Sequence, residues 1–408
     1  MTVTVVVAGA GVRGVTYARH AVVGGARVVA VAEPDSGRRE RFAAEFGVRA
    51  DRAFADWTQL VDAGRIADAA VVTTQDHLHE GPAIALAGLG YHILLEKPMA
   101  PTEAGAAAIA ATVAGHGTVF AVCHVLRYTP YTRALRRLLD AGRIGRLVSA
   151  QHLEPVGWWH HAHSFVRGHW ANTRTSAPML LTKACHDVDW LLYLFGRQPR
   201  LVSSFGSLYH FRPEERPAGA ADRCLDCAVE PTCPYSAPRL YLSCLGDPKT
   251  EFWPLSPVTD DATPDGVRAA LRTGPYGRCV YLGDNDVVDQ QVVNLSFVDG
   301  ATCSLTVTAF TPMESRRTRL FGTHGYVEGD GRTLRVVDFR TGAEERIDTP
   351  ALAGHDGGDA GLIDAFVTAV ATGDPSHVHS DAATSLASHR VVWAAERARL
   401  SGTVVNLT

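Results

Sequence analysis

The chain has 408 residues, 46% of them hydrophobic and 20% charged, and a formal net charge of −4. That composition excludes a disordered chain and argues against a nucleic-acid or membrane-surface partner, both of which call for a strong charge bias. The length exceeds what one hydrophobic core usually serves and predicts two domains of ~150 to 250 residues.

The amino terminus lacks the basic region and cleavage site of a secretory signal. Gly, Arg, Asp or Pro interrupts every apolar run before it reaches the ~18 to 20 residues needed to span a bilayer. A cytoplasmic enzyme is the expectation. Eight cysteines in such a chain argue against a disulfide framework, so a cluster among them is read first as a metal site.

From Val3 to about Cys123 short Val-rich runs alternate with helical patterns, the signature of a parallel, doubly wound sheet. The expected strands are Val3–Ala8, Arg27–Ala32, Asp68–Thr74, Tyr91–Leu95 and Thr118–Cys123, with a weaker one at Gly47–Ala50. Helical patterns fill Ser36–Phe46, His77–Gly88 and Thr102–Ala114. The first run enters Gly9-Ala10-Gly11-Val12-Arg13-Gly14, a GxGxxG turn followed by an apolar helix pattern. In this context Gly9 permits the tight turn, Gly11 admits a pyrophosphate and Gly14 lets helix and strand pack closely. Gly9, Gly11, Val12, Arg13 and Gly14 are therefore candidate cofactor contacts in a Rossmann domain spanning 1–126.

Glu33 closes the second strand, where a carboxylate accepts hydrogen bonds from the adenosine ribose and repels a 2′-phosphate, favouring NAD over NADP. Arg38 and Arg39 follow, either shielding a phosphate or lying as solvated helix charges. Thr73, Thr74 and Gln75 are expected at the carboxyl edge of the sheet, and His79 is expected as a cofactor contact or a structural cap.

After Cys123 the texture changes, with Pro, Trp, Tyr and His frequent, which places a domain boundary near Arg127 and an α+β domain over 127–408. Alternation at Leu147–Leu153, Leu201–Phe211, Gln291–Phe297, Thr302–Phe310, Arg316–Phe321 and Leu334–Phe339 predicts a large, mostly antiparallel open sheet. Helices are expected on one face at Met179–Phe195, Asp359–Thr372 and His379–Leu400, the last returning to brace the first domain.

Leu95-Glu96-Lys97-Pro98-Met99, with the amino-terminal glycines and Cys185-His186-Asp187, resembles the Gfo/Idh/MocA family of oxidoreductases over nearly the whole chain. The resemblance implies that Lys97 lies beside the nicotinamide and the substrate hydroxyl, commonly with a cis peptide before the proline. Independently, a lysine ending a buried strand needs a partner or a task, with Glu96 its nearest electrostatic partner and a further candidate cofactor contact. A cationic donor there can stabilise alkoxide character.

Alcohol oxidation also needs a base. His186 is the candidate, on a helix that is expected to place Thr182, His186 and Asp189 on one face and Lys183, Asp187 and Trp190 on the next. Many members of the resembled family carry an aspartate four residues before this histidine. Here Thr182 stands in that place, so Lys183 and Asp187 become candidates for substrate contact.

The segment Glu154–Trp170 is rich in Trp, His and Arg and suits a carbohydrate pocket, with Trp158, Trp159, His163 and Arg167 as candidate contacts. Arg127 and Tyr128 are placed at the same crevice or in interdomain packing. A cysteine-rich insertion at about 212–280 holds Cys224, Cys227 and Cys233. Three thiols so close imply metal ligation, with Cys244 or Cys279 as the fourth ligand and structural zinc or an iron–sulfur cluster as the occupant. The resemblance favours Cys279 as the fourth ligand, and zinc is the expected metal.

Together these readings predict an NAD-dependent oxidoreductase acting on a ring hydroxyl of a sugar, sugar derivative or cyclitol. Two alternatives stay open: a glycosidase that oxidises its substrate transiently with NAD, and a dinucleotide-dependent sensor or scaffold. The resemblance implies a homo-oligomer, a dimer or tetramer.

Overall fold

The computed structural model describes residues 2–407, which build two sheets. The first contains β1 (Thr4–Ala8), β2 (Arg27–Ala32), β3 (Ala53–Phe54), β4 (Ala69–Val72), β5 (His92–Leu95) and β6 (Phe120–Val122). All its pairs are parallel, in the order β3-β2-β1-β4-β5-β6. Helices α1 (Val12–Val23), α2 (Ser36–Phe46), α3 (Trp57–Asp62), α4 (Glu80–Gly88) and α5 (Glu103–Ala114) connect the strands. Burial on both faces explains why β4 is fully buried and reads as an unbroken apolar run. The strand order reverses between β1 and β4, and their carboxyl ends define the crevice where such a sheet takes a dinucleotide.

The chain then passes through α6 (Pro130–Asp140), β7 (Leu147–Pro155), α7 (Trp158–His161), α8 (Met179–Thr182), α9 (Cys185–Phe195) and β8 (Pro199–Ser207). The cysteine-bearing loop region follows, with short helices α10 (Ala237–Leu242), α11 (Pro248–Thr250) and α12 (Pro264–Thr273). Strands β9 (Gln290–Phe297), β10 (Thr302–Thr308), β11 (Arg317–Gly322), β12 (Gly325–Gly329), β13 (Thr333–Asp338) and β14 (Glu344–Asp348) lead to α13 (Gly358–Thr372), α14 (Ala382–Ser401) and β15 (Val405–Asn406). The second sheet is ordered β14-β13-β12-β11-β7-β10-β9-β8-β15, antiparallel throughout except for the parallel pair β7–β10. Alternate residues of its strands, such as Val293, Leu295, Leu305 and Val307, pack against Val188, Leu191 and Val392 of α9 and α14.

Four departures from the sequence expectations have physical causes. The strand expected at Gly47–Ala50 lies instead at Ala53–Phe54, because Gly47 ends α2 in the left-handed region and the chain needs a further turn at Ala50–Arg52. The strand expected over Leu201–Phe211 stops at Ser207, where the buried Asp289 carboxylate accepts the amides of Tyr209 and His210 and bends the chain away. The single helix expected over Met179–Phe195 breaks at Lys183–Ala184. Its break sets the Thr182 carbonyl free to accept from Lys97 Nζ at 2.5 Å, so Thr182 and His186 do not share one helical face. Finally, β14 was invisible in the sequence because four of its five residues are exposed and it lacks apolar alternation.

Helix α14 does return to the first sheet. His389 Nε2 accepts from the Met99 amide at 3.1 Å and Trp393 Nε1 donates to the Pro101 carbonyl at 3.3 Å. Beneath it, Arg127 grips Asp189 with two hydrogen bonds of 2.6 and 2.7 Å, and both residues are buried. Burial would raise the Asp189 pKa, but the Arg127 guanidinium reverses this and holds it low. Replacing Arg127 by Ala strands that carboxylate, and we expect a loss of about 3 to 5 kcal/mol, read as a fall in the urea midpoint. A midpoint equal to that of the wild type would show that the pair does not tie α9 to the segment after β6.

Candidate active site

The glycine turn is shaped as its spacing predicted. Gly9 has φ +99°, and a Cβ there would lie 2.5 Å from the Thr73 carbonyl oxygen; at Gly14 it would lie 2.0 Å from the Gly9 oxygen. By contrast nothing lies within 4 Å of a Cβ at Gly11, which stands at the amino end of α1 and faces open space. An unobstructed helix terminus beside the strand-order reversal fits a pyrophosphate. Val12 opens the helix beside it. Glu33 accepts from the Ala10 amide at 2.8 Å and from Arg38 Nη2 at 2.8 Å, which ties its carboxylate to the turn.

Other cofactor candidates turn out to brace the crevice. Thr73 Oγ1 donates to the Gly9 carbonyl at 2.8 Å, while Thr74 Oγ1 is buried without a partner and Gln75 is exposed. His79 is fully buried, its two ring nitrogens 2.7 Å from the Pro98 carbonyl and 3.1 Å from that of Thr74. It therefore shapes the loops and does not face a ligand. Arg13 turns its side chain away from the turn: Nε donates to Glu96 at 2.7 Å and Nη2 to Asp359 at 2.6 Å. Glu96 also accepts from Tyr17 Oη and the Lys97 amide, so its carboxylate is spent on the scaffold. Burial alone would raise the Glu96 pKa; Arg13 and then Lys97 reverse the sign and hold it below the usual carboxylate range.

Lys97 precedes a cis peptide to Pro98 and reaches out of β5 towards the second half of the chain. Its Nζ lies between the Thr182 carbonyl and the Trp170 ring, 5.8 Å from the ring centroid. Trp170 in turn donates to Asp76 at 2.9 Å, fixing it at the edge of the first sheet. His186 stands close enough to Lys97 that, after burial itself, Lys97 is the main cause holding its pKa well below the ordinary value; His124, His355 and Arg316 add to this. His186 is thus held neutral, 6% exposed, with Nδ1 buried and unpartnered. Sequence reasoning missed His355, whose ring centroid is 6.1 Å from that of His186 and which bonds Asp359 through Nδ1. It lies in the Gly-Asp-rich stretch before α13, which reads as an ordinary loop.

The expected substrate contacts divide. Asp187 is fully buried, accepting from His152 Nε2 at 3.0 Å and from Arg316 Nε at 2.5 Å, so it does not reach the crevice; it aims Arg316. Lys183 and Arg316 both pair with Glu154, at 3.2 and 2.9 Å, and each remains partly exposed. Arg127 and Tyr128 are buried in packing, the former on Asp189 and the latter on Ser380 and the His379 amide. Arg167 and His163 are likewise structural: Arg167 donates to the carbonyls of Arg278 and Tyr235, and His163 bonds Tyr241 Oη at 2.8 Å. Trp158 donates to the Pro234 carbonyl and Trp159 packs at a tilt against Trp253, so this aromatic segment seats the cysteine-bearing loops.

Cys224, Cys227, Cys233 and Cys279 line one small cavity, while Cys244 lies apart and donates to the Leu240 carbonyl. Arg167 Nη2 approaches Cys224 Sγ at 3.4 Å. Among the described residues, no three His, Cys, Asp or Glu side chains are grouped closely enough to hold a metal ion as they stand. No helix among them is long and apolar enough to cross a membrane.

A doubly wound parallel sheet with an open helix terminus at its strand-order reversal defines a dinucleotide-binding fold. Residues 3–124 match the oxidoreductase family with an NAD-binding Rossmann fold and residues 136–407 match that family's C-terminal alpha/beta domain. The chain belongs to this family, Gfo/Idh/MocA. Inositol 2-dehydrogenase 1 of Saccharopolyspora erythraea is 41% identical over 151 residues, covering 36% of this chain and 43% of that protein. The 2,7-anhydro-N-acetylneuraminate hydratase of Mediterraneibacter gnavus is 26% identical over 182 residues, 45% of this chain and 46% of that one. The chain spans about half the length of the curated relatives it matches. A levoglucosan dehydrogenase in complex with NADH and levoglucosan superposes over 100% of both chains with a TM-score of 0.74 at 18% identity, a likeness of fold.

The Arg13 network makes stability depend on acid. Burial opposes ionisation of both Glu96 and Asp359, but Arg13, with Lys97 beside Glu96 and His355 beside Asp359, holds both carboxylates low. In the unfolded chain they titrate near ~4, so below that pH the unfolded state binds more protons and stability falls as pH falls. We expect the urea midpoint to drop between pH 5 and roughly pH 3, and the drop to shrink in Asp359→Asn. An equal drop in both proteins would place the acid sensitivity elsewhere.

Proposed function

We propose that this chain is an NAD-dependent dehydrogenase for a ring hydroxyl of a sugar, sugar derivative or cyclitol. The observation that carries the reading is Lys97 bonded to the Thr182 carbonyl, four residues before the buried His186, with an open helix terminus at the glycine turn. When bound there, NAD supplies the hydride acceptor. Gly11 and the first turn of α1 would hold its pyrophosphate, and Glu33 would take its adenosine ribose, which would favour NAD over NADP.

Lys97 donates a hydrogen bond to the substrate oxygen and stabilises negative charge as it develops. His186 removes the hydroxyl proton; its lowered pKa keeps it unprotonated and ready. Lys183 and Arg316, anchored on Glu154 and Asp187, present further donors to the remaining hydroxyls, and Trp170 offers an apolar face beside Lys97. The inositol dehydrogenase and levoglucosan dehydrogenase likenesses support a polyhydroxylated ring as substrate. Likeness to a hydratase supports a second reading, in which oxidation is transient and is followed by elimination from the activated ring, as in NAD-dependent glycoside cleavage.

Two further features belong to the proposal. Cys224, Cys227, Cys233 and Cys279 line one cavity without being grouped to hold an ion as they stand, and the reading is that they draw together around a structural zinc, which would staple the loop region against the Trp158–Trp170 segment. The open face of the second sheet, with Ser149, Gln151, Ser203, Asn294 and Phe321, suits assembly of a cytoplasmic homo-oligomer.

Turnover of a panel of cyclitols and sugars with NAD and with NADP tests the assignment. We expect reduction of NAD in preference to NADP, and a loss of at least ~10²-fold in His186→Ala and in Lys97→Ala with NAD affinity little changed. Unchanged turnover in either variant would remove that residue from the chemistry, whereas release of an aglycone without accumulated NADH would favour the second reading. Elemental analysis is expected to find about one zinc per chain, lost in Cys279→Ser but kept in Cys244→Ser; absence of metal from the wild type would refute the site.

A further inference from the structure

A base that takes a proton in every turnover must also lose it. His186 has little direct access to solvent: it is 6% exposed, and its Nδ1 is buried without a partner. Most of its neighbours are poor outlets. His124, with centroids 5.9 Å apart, is fully buried and backed by Asp189, itself closed by Arg127. Arg316 is committed to Asp187 and Glu154 and stays protonated, and Lys97 is bonded to the Thr182 carbonyl.

His355 differs from all of these. Its side chain is 40% exposed and its ring centroid is 6.1 Å from that of His186, so it is at once a neighbour of the base and open to solvent. Asp359 accepts from His355 Nδ1 at 3.1 to 3.2 Å, which sets the tautomer with a bare Nε2, the atom able to receive a proton. Asp359 is itself 1% exposed and clamped by Arg13 at 2.6 Å, so the ring is tied to the glycine turn of the cofactor site.

The backbone gives an independent sign. Gly354, His355, Asp356 and Gly357 all have positive φ, at 64°, 47°, 54° and 84°. Two successive non-glycine residues in the left-handed region are strained, and such strain persists where the surrounding structure holds it in place, often at functional sites.

We propose that His355, oriented by Asp359, is the residue through which the proton taken by His186 reaches solvent. This rests on the reading of His186 as the base. In the step, the substrate C–H bond breaks with its electron pair passing to the nicotinamide, while the O–H proton passes to His186 and leaves a carbonyl. That proton then moves across a bridging hydroxyl or water to His355 Nε2 and out to solvent, returning both imidazoles to neutrality. His355 acts through His186 and is a positioning and relay residue.

The test uses His355→Gly in the NAD-loaded full chain, since glycine relaxes at φ +47° and leaves an imidazole-sized opening. In protein with ¹⁵N-labelled histidine, exchange of the His186 ring proton with solvent is followed by NMR, which needs no substrate. We expect exchange to slow at least tenfold in the variant and to recover on adding imidazole, with kcat on an accepted polyol following the same pattern while KM changes less than threefold. Asp359→Asn should slow exchange without imidazole rescue. Exchange in His355→Gly as fast as in the wild type would overturn the proposal, as would slowing that imidazole does not reverse. Rescued exchange in a protein that oxidises no polyol would leave the proton path standing and bring down the functional reading instead.

Discussion

The arrangement depends on a buried charge cluster in which Arg13 holds two carboxylates, Glu96 and Asp359. Each of its three members sits next to a functional element: Arg13 within the glycine turn, Glu96 immediately before Lys97, and Asp359 under His355 at the start of α13. Charges taken out of water cost several kcal/mol apiece unless paired, so the cluster is stable only when all three segments are in place. Residues 83 and 346 positions apart in sequence are thereby fixed relative to one another. The cofactor turn, the candidate acid and base groups and the carboxy-terminal half share one electrostatic knot.

Around it, the second half of the chain makes local sacrifices that shape the chemistry. The helix carrying His186 is broken one turn early, and the carbonyl this exposes at Thr182 is the one that Lys97 uses. Burial and surrounding cations keep His186 neutral, while His152 and Arg316 hold the Asp187 carboxylate well away from protonation despite its burial. Buried acids thus aim exposed bases: Asp187 and Glu154 hold Arg316 and Lys183, and Asp359 holds His355.

Much of the fold was legible because it rests on local signals. The Val-rich runs of β1, β2 and β4, the Asp35 and Thr102 caps of α2 and α5, and the glycine spacing are all consequences of neighbours in sequence. Within the candidate site, only the motif-marked positions Lys97 and His186 stood out in the sequence. Asp187 and Arg127 looked like polar groups awaiting a ligand, but their partners, Arg316 and Asp189, lie 129 and 62 residues away and carry no motif. His355 stayed hidden for the same reason: an i, i+4 pairing with Asp359 is unremarkable until the fold brings His186 beside it.

In the proposed reaction hydride leaves a ring carbon in the crevice beside Lys97. Incubating the NAD-loaded protein with carbon-deuterated myo-inositol and glucose, and locating deuterium by NMR, reads that event directly, including when oxidation is transient. The account predicts label at C4 of the nicotinamide in the wild type and none in Lys97→Met, although that variant still binds NAD. Label in Lys97→Met at the wild-type rate, or none in the wild type with any polyol, would contradict it.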